Sequence, residues 1–250
     1  MIEFADVSKR YGGVWALRNL TLRIASGELV AVLGESGSGK TTLVKMVNRL
    51  IEPDEGELRF EGELRGSTDA VSLRRKIGYV IQHAGLFPHW TVAANVATVP
   101  RLLGWEAGEI AARVDEVLAL VGLEALHRDR FPDQLSGGQR QRVGVARALA
   151  ARQKVLLLDE PFGAVDPITR VALQGELRRI HRELSLTTLM VTHDIIEALT
   201  LADRIVVMYR GALRQVGTPA ELMMKPADDY VAQLMGMARR QAEAIGKVGA

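Results

Sequence analysis

Leu29-Val30-Ala31-Val32-Leu33-Gly34-Glu35-Ser36-Gly37-Ser38-Gly39-Lys40-Thr41-Thr42 decides the fold, because an unbroken apolar run passes through a glycine-rich turn directly into an amphipathic segment. Leu29 to Leu33 reads as a buried strand, and Thr42 to Val47 reads as a helix. Between them every fixed position of G-x-x-x-x-G-K-[ST] is met, in the strand, loop and helix order that the motif needs. Glycines without Cβ let backbone N–H groups curl around phosphates, and the helix start adds a positive dipole end. Lys40 supplies a mobile charge, and the Thr41 hydroxyl can ligate Mg²⁺. Gly34 to Thr42 is therefore the candidate nucleotide-binding loop, with a triphosphate and Mg²⁺ as its expected ligands.

An acidic partner is expected at the end of another buried strand. Val155-Leu156-Leu157-Leu158-Asp159-Glu160 supplies it, an apolar run without alternation, as in a parallel strand covered on both faces. Asp159 is the candidate Mg²⁺ ligand alongside Thr41. Glu160 is the candidate base that polarises the attacking water; the plain alternative is a solvated charge before Pro161. Ser136-Gly137-Gly138-Gln139 opens a further helix, with Ser136 as a good N-cap and the first N–H groups facing outward to an anion. In isolation such a start is equally a cap with a flexible glycine pair. Beside a loop that already surrounds one triphosphate, a second cradle suggests action in trans, in a head-to-tail pair of chains.

The 250 residues suit one large domain or two small ones, and 48% apolar content is ample for a core. A net charge of +2, despite a pI near 9.0, does not indicate a nucleic-acid surface. With 0 cysteines, disulfides and thiolate metal sites are excluded. Glu3 and Asp6 sit where a signal peptide would be apolar, and no apolar run approaches the ~20 residues of a membrane span. Leu20 to Ile24 alternates like a half-buried antiparallel strand, and Gly56 to Phe60 is a further strand. After Gln82 helical spacing takes over, through Ala94 to Leu102 and Glu109 to Leu120. Arg140, Arg142, Arg147 and Arg152 spread around helical spacing and read as a solvated face.

The loop Gly34 to Thr41, Leu135 to Gln139, the strand end Asp159-Glu160 and a later strand-terminal His193 together resemble the ATP-binding subunit of an ABC transporter. The resemblance covers the chain to about Gly236. It implies an α/β P-loop NTPase of the ABC ATPase type: a mixed parallel core sheet, an N-terminal antiparallel β subdomain and an inserted α-helical subdomain at about 83–151. Residues 1–236 form the expected domain, and 237–250 a tail expected to fray. The resemblance implies that Tyr11 stacks on adenine, although a turn-anchoring tyrosine is the alternative. It makes Gln82 a sensor of Mg²⁺ and water, and Asp166 the loop acid at a dimer interface, a position where an N-cap before Pro167 fits equally. His193 becomes the γ-phosphate contact, whereas alone it reads as a capping histidine.

Arg74 to Gln82, Gly85 to His89, Val96 to Pro100 and Phe162 to Arg170 are further similar to the importers of glycine betaine, choline and related osmoprotectant quaternary amines. Glu35 within the loop and Val165 before Asp166 depart from the usual pattern without removing a catalytic group. The implied function is ATP binding and hydrolysis that power such an importer. An importer of another small solute, such as an amino acid, is the nearer alternative; an ABC ATPase acting on nucleic acid or ribosomes is the more distant one. Implied partners are a second copy or a paralogous ATPase subunit, a transmembrane permease and, indirectly, an extracytoplasmic substrate-binding protein, with no nucleic acid. The implied location is the cytoplasmic face of the (inner) membrane, held peripherally through the permease. Ile77 to Pro100 contains no Asp, Glu, Lys or Arg, so Phe87 and Trp90 either receive a permease helix or enter the core.

Overall fold

The computed structural model describes residues 1–67, 69–163 and 165–248; Ala164, in the stretch Phe162 to Arg170, and the last two residues of the tail lie outside them. The chain forms two compact units, Met1–Arg65 with Leu189–Ala250, and Gly66–Thr188. Its first part runs β1 (Ile2–Tyr11), β2 (Val14–Ile24), β3 (Leu29–Leu33), α1 (Lys40–Val47), β4 (Glu55–Phe60) and β5 (Glu63–Leu64). Next come α2 (Ala70–Lys76), β6 (Ile77–Val80), α3 (Val92–Val96), α4 (Thr98–Leu102), α5 (Ala107–Leu120), α6 (Gly137–Leu149), β7 (Val155–Asp159) and α7 (Pro167–Glu183). The chain closes with β8 (Thr187–Thr192), α8 (Ile195–Leu201), β9 (Arg204–Tyr209), β10 (Ala212–Gly217), α9 (Pro219–Met224) and α10 (Asp229–Val248).

In the first unit, β1 and β2 pair antiparallel across Gly12-Gly13, whose positive φ angles of 54° and 84° suit a two-residue hairpin between twisted strands. This sheet has the order β2-β1-β4-β5, with Ile2, Phe4, Leu20, Leu22 and Ile24 buried by alternation. A second sheet of the unit has the order β10-β9-β3-β8 and is mixed: β3 pairs parallel with β9, and β10 antiparallel with β9. All five residues of β3 are buried, which accounts for its unbroken apolar sequence. The backbone stays helical through Val248, in place of the fraying expected after Gly236. Val231, Met235 and Ala238 recur on one face of α10 and are buried, and that face anchors the helix.

In the second unit, β6 and β7 pair in parallel with Val80 opposite Leu158, so the chain leaves both strands at the same end. Helix α6 lies directly on β6: a Cβ at Gly78 would come within 2.3 Å of the Ala148 carbonyl oxygen. The end of α6 is closed by the buried Arg113 of α5, whose guanidinium donates to the carbonyls of Leu149 at 2.8 Å and Ala150 at 3.0 Å. The helix expected from Ala94 to Leu102 is two short helices meeting at Ala97. Ahead of them, buried Asn95 organises the loop: it accepts from the Phe87 N–H at 2.8 Å and donates to the carbonyls of Phe87, Trp90 and Thr91, each at 3.1 Å.

Asn95→Ala strips that loop of its internal partners and leaves buried backbone groups unsatisfied, a cost of about 2–3 kcal/mol. The melting temperature of the variant should fall by roughly 4–12 °C. An unchanged melting curve would show that water replaces the amide at no cost.

Candidate functional site

The Gly34–Thr41 loop is shaped by close approach. Gly34 lies against β9, where a Cβ would stand 2.3 Å from the Met208 carbonyl oxygen. Gly39 caps α1 at φ 100°, and its Cβ would stand 2.2 Å from the Ala16 carbonyl oxygen. The Lys40 side chain, 6% exposed, folds back over the loop and donates to the carbonyls of Gly34 at 2.7 Å and Glu35 at 2.8 Å. Ser38 Oγ is buried without a hydrogen-bond partner among the described residues. Thr41 is exposed at the helix start and Thr42 half-buried beside it, while Glu35, Ser36 and Gly37 form the exposed crest. A rigid glycine cradle, a cation in reserve and an orphan hydroxyl fit a polyphosphate.

Elsewhere in the same unit, Tyr11 ends β1 beside the Gly12-Gly13 turn and is 48% exposed, with the Lys9 ammonium 5.6 Å from its ring centroid. The ring is available for stacking. His193 follows β8 and is exposed. Capping falls instead to Asp194, whose carboxylate accepts from the N–H groups of Ile196 at 2.8 Å and Glu197 at 3.1 Å.

The second unit gathers Asp159, Glu160 and Gln82 at the common end of β6 and β7. Gln82 Nε2 donates to Glu160 Oε2 at 3.4 Å. Buried Asp159 accepts from the Tyr79 hydroxyl; burial first, and then the Asp159 charge and this bond, push the phenol's ionisation far above its usual range. Adjacent carboxylates therefore meet unlike surroundings, one buried and bonded to a phenol, the other half-buried at a left-handed φ of 48°. The structure places Tyr79 at the site, a residue that sequence reasoning passed over. A polar tip within an otherwise apolar strand was its only signal.

Ser136 caps α6 in a reciprocal box: its Oγ accepts from the Gln139 N–H at 3.2 Å, and Gln139 Oε1 accepts from the Ser136 N–H at 2.9 Å. Gly138 is held against α7, where a Cβ would stand 2.4 Å from Thr169 Cγ2, while Gly137 stays half-exposed. Asp166 is the N-cap of α7 ahead of Pro167, accepting from the Thr169 N–H at 3.0 Å. That bond, with the Thr169 hydroxyl second, holds its carboxyl below the usual range.

The reading of a solvated arginine face is overturned for Arg140, Arg142 and Arg147, whereas Arg152 is exposed. Arg140 donates to the Leu135 carbonyl at 2.6 Å, Arg142 pairs with Glu176, Arg147 donates to the carbonyls of Ala84 at 2.7 Å and Gly85 at 2.8 Å, and Arg152 stands 5.5 Å from the Trp105 ring centroid. Their partners lie on separate segments, which helical periodicity cannot reveal. Phe87 and Trp90 are 44% and 41% exposed, with ring centroids 4.5 Å apart. Burial in the core is thereby excluded for both.

Residues 17–163 match the family model described as ABC transporter. The chain is 55% identical over 236 residues to the glycine betaine uptake system ATP-binding protein YehX of Escherichia coli (strain K12), covering 94% of this chain and 77% of that protein. It is 50% identical over 240 residues to the choline transport ATP-binding protein OpuBA of Bacillus subtilis (strain 168), covering 96% of this chain and 63% of the relative. Among solved structures it is similar to the dimeric post-hydrolysis state of the ATP-binding cassette MJ0796 bound to ADP and Pi, with a TM-score of 0.78, 34% identity, and coverage of 88% of this chain and 99% of that one.

Gly39→Ala adds a methyl group at a left-handed position facing a backbone carbonyl, so the loop must shift. Affinity for a fluorescent ATP analogue should fall at least about tenfold, or roughly 1.4 kcal/mol, with the circular dichroism spectrum retained. Wild-type affinity in that variant would refute the cradle geometry.

Proposed function

Because the chain belongs to the ABC transporter family, we propose that it is the ATP-hydrolysing subunit of an importer, with glycine betaine or a related quaternary amine as cargo. The cradle of Gly34 to Thr41, with Lys40 bonded to its own loop and Ser38 Oγ without a partner among the described residues, carries the reading. On entry of ATP, Lys40 exchanges two carbonyls for phosphate oxygens, so its charge is never left without acceptors. Tyr11 stacks on the adenine. The loop N–H groups from Glu35 to Thr42 surround the phosphates.

Thr41 and Asp159 are the proposed Mg²⁺ ligands, with Gln82 bound to the ion or its water; hydroxyl, carboxylate and amide oxygens are the hard donors that Mg²⁺ prefers. The ion, when bound, neutralises charge on the transferring phosphoryl group. Glu160 accepts a hydrogen bond from the attacking water and takes up its proton, Gln82 keeps that carboxylate oriented, and His193 contacts the γ-phosphate. Two chains associate head to tail, so that Ser136 to Gln139 of one closes over the phosphates held by the other, with Asp166 at the interface. In that role the N-terminus of α6 supplies fixed dipoles to an anion, and the cap box keeps Ser136 and Gln139 in register.

The partner copy is this chain or a paralogous subunit, and a permease docks on the exposed pair Phe87 and Trp90. The extracytoplasmic binding protein is reached only through the permease. No helix among the described residues is long and apolar enough to cross a membrane, in keeping with a peripheral position on the cytoplasmic face.

Glu160→Gln should lower steady-state turnover about 10²–10⁴-fold while ATP-dependent dimers accumulate in light scattering. Turnover at the wild-type rate would remove Glu160 from the chemistry. Phe87→Ala with Trp90→Ala should abolish permease stimulation and leave ATP binding intact; full stimulation in that double variant would place the docking surface elsewhere. ATP-driven uptake by the reconstituted transporter, assayed across quaternary amines and amino acids, tests the cargo. Uptake of amino acids alone would overturn the quaternary-amine assignment.

A further inference from the structure

Between Gln82 and the aromatic pair, His83, Ala84 and Gly85 take consecutive left-handed conformations with φ of 61°, 60° and 54°. Only glycine adopts that region freely, so two of the three residues are held there against their preference. Two short-range bonds close the turn, Ala84 N–H to Ile81 O at 3.0 Å and Gly85 N–H to His83 O at 2.7 Å. A further restraint comes from α6. Arg147 places one guanidinium nitrogen 2.7 Å from the Ala84 carbonyl and another 2.8 Å from the Gly85 carbonyl, with its carbon 5.8 Å from the Phe87 ring centroid. One turn earlier, a Cβ at Gly144 would stand 3.0 Å from the Ala84 Cβ, so helix and loop are in direct contact. A half-buried cation whose bonds go to two backbone carbonyls, and to no carboxylate among the described residues, is a costly way to fill space.

We propose that Arg147 is a positioning residue for hydrolysis: by gripping Ala84 and Gly85 it holds Gln82 against Glu160 and ties that contact to the helix beginning at Ser136. The proposal rests on the roles assigned to Gln82 and Glu160. Any displacement of α6 is then passed to Gln82 through two hydrogen bonds and one tight backbone contact. The same grip aligns Phe87, so the permease-facing pair and the water-orienting amide hang from one guanidinium.

The test uses the full chain with its permease in proteoliposomes, and Arg147→Met, Arg147→Lys and the double variant Arg147→Met with Ala84→Gly. Melting temperature, affinity for a fluorescent ATP analogue, kcat and the Mg²⁺ concentration for half-maximal activity are measured for each. Arg147→Met should keep nucleotide affinity within about twofold, lower kcat at least about tenfold and raise the Mg²⁺ requirement about threefold or more. Adding Ala84→Gly should recover at least about threefold of kcat, because glycine holds the left-handed turn without a clamp. Arg147→Lys, with one point charge for two carbonyls, should fall between wild type and Met. An unchanged kcat, or a parallel fall of stability, affinity and kcat that Ala84→Gly does not relieve, would overturn the proposal. Should Arg147→Met not fold, Arg147→Lys is judged by the same split between affinity and kcat. Wild type and Glu160→Gln are assayed alongside: turnover surviving in Glu160→Gln would indict the assignment of the base, not the clamp.

Discussion

A buried ammonium needs acceptors, and the Lys40 side chain finds them in the carbonyls of Gly34 and Glu35. Much of the phosphate loop follows from this requirement. For two carbonyls to converge on one nitrogen the loop must curl tightly, and the curl brings Gly34 against Met208 and Gly39 against Ala16 with no room for a Cβ. The glycines are thus fixed by strands β2 and β9 as much as by the ligand. Pre-arrangement has a further consequence for the proposed function: phosphate oxygens would replace acceptors already in place, so binding would require little rearrangement of the cation.

Helix α6 plays the corresponding part in the second unit. It rests on β6 at Gly78, is closed at its end by Arg113, and begins at the Ser136 box. Its arginines are spent on backbone carbonyls and an acid of neighbouring segments. Because guanidinium groups fork, each can satisfy two acceptors that would otherwise be buried without donors. The helix therefore ties neighbouring loops to itself through their backbone carbonyls.

Adjacent Asp159 and Glu160 show how one strand end serves two purposes. Side chains of successive residues on a strand point to opposite faces, and the left-handed turn at Glu160 separates them further. Asp159 stays buried with the Tyr79 hydroxyl as donor, while Glu160 remains accessible beside the Gln82 amide. Burial keeps one carboxylate fixed and partial exposure gives the other access to water.

Features legible in the amino-acid order are local ones. The strand, glycine turn and helix around Gly34 to Thr42 lie within one stretch of chain, and so do the Ser136 cap and the apolar run ending at Asp159, so each pattern can be read from neighbouring residues. Tertiary structure decided whatever depended on a distant partner. Arg147 looked solvated until Ala84 and Gly85 stood beside it, and Tyr79 looked like core until its hydroxyl met Asp159. Phe87 and Trp90 had no assigned side until Asn95 pinned their loop, and α10 had no reason to stay helical until Val231 and Met235 found a surface to cover. Periodicity describes the faces of an element, whereas pairing across dozens of residues is set by how the elements pack.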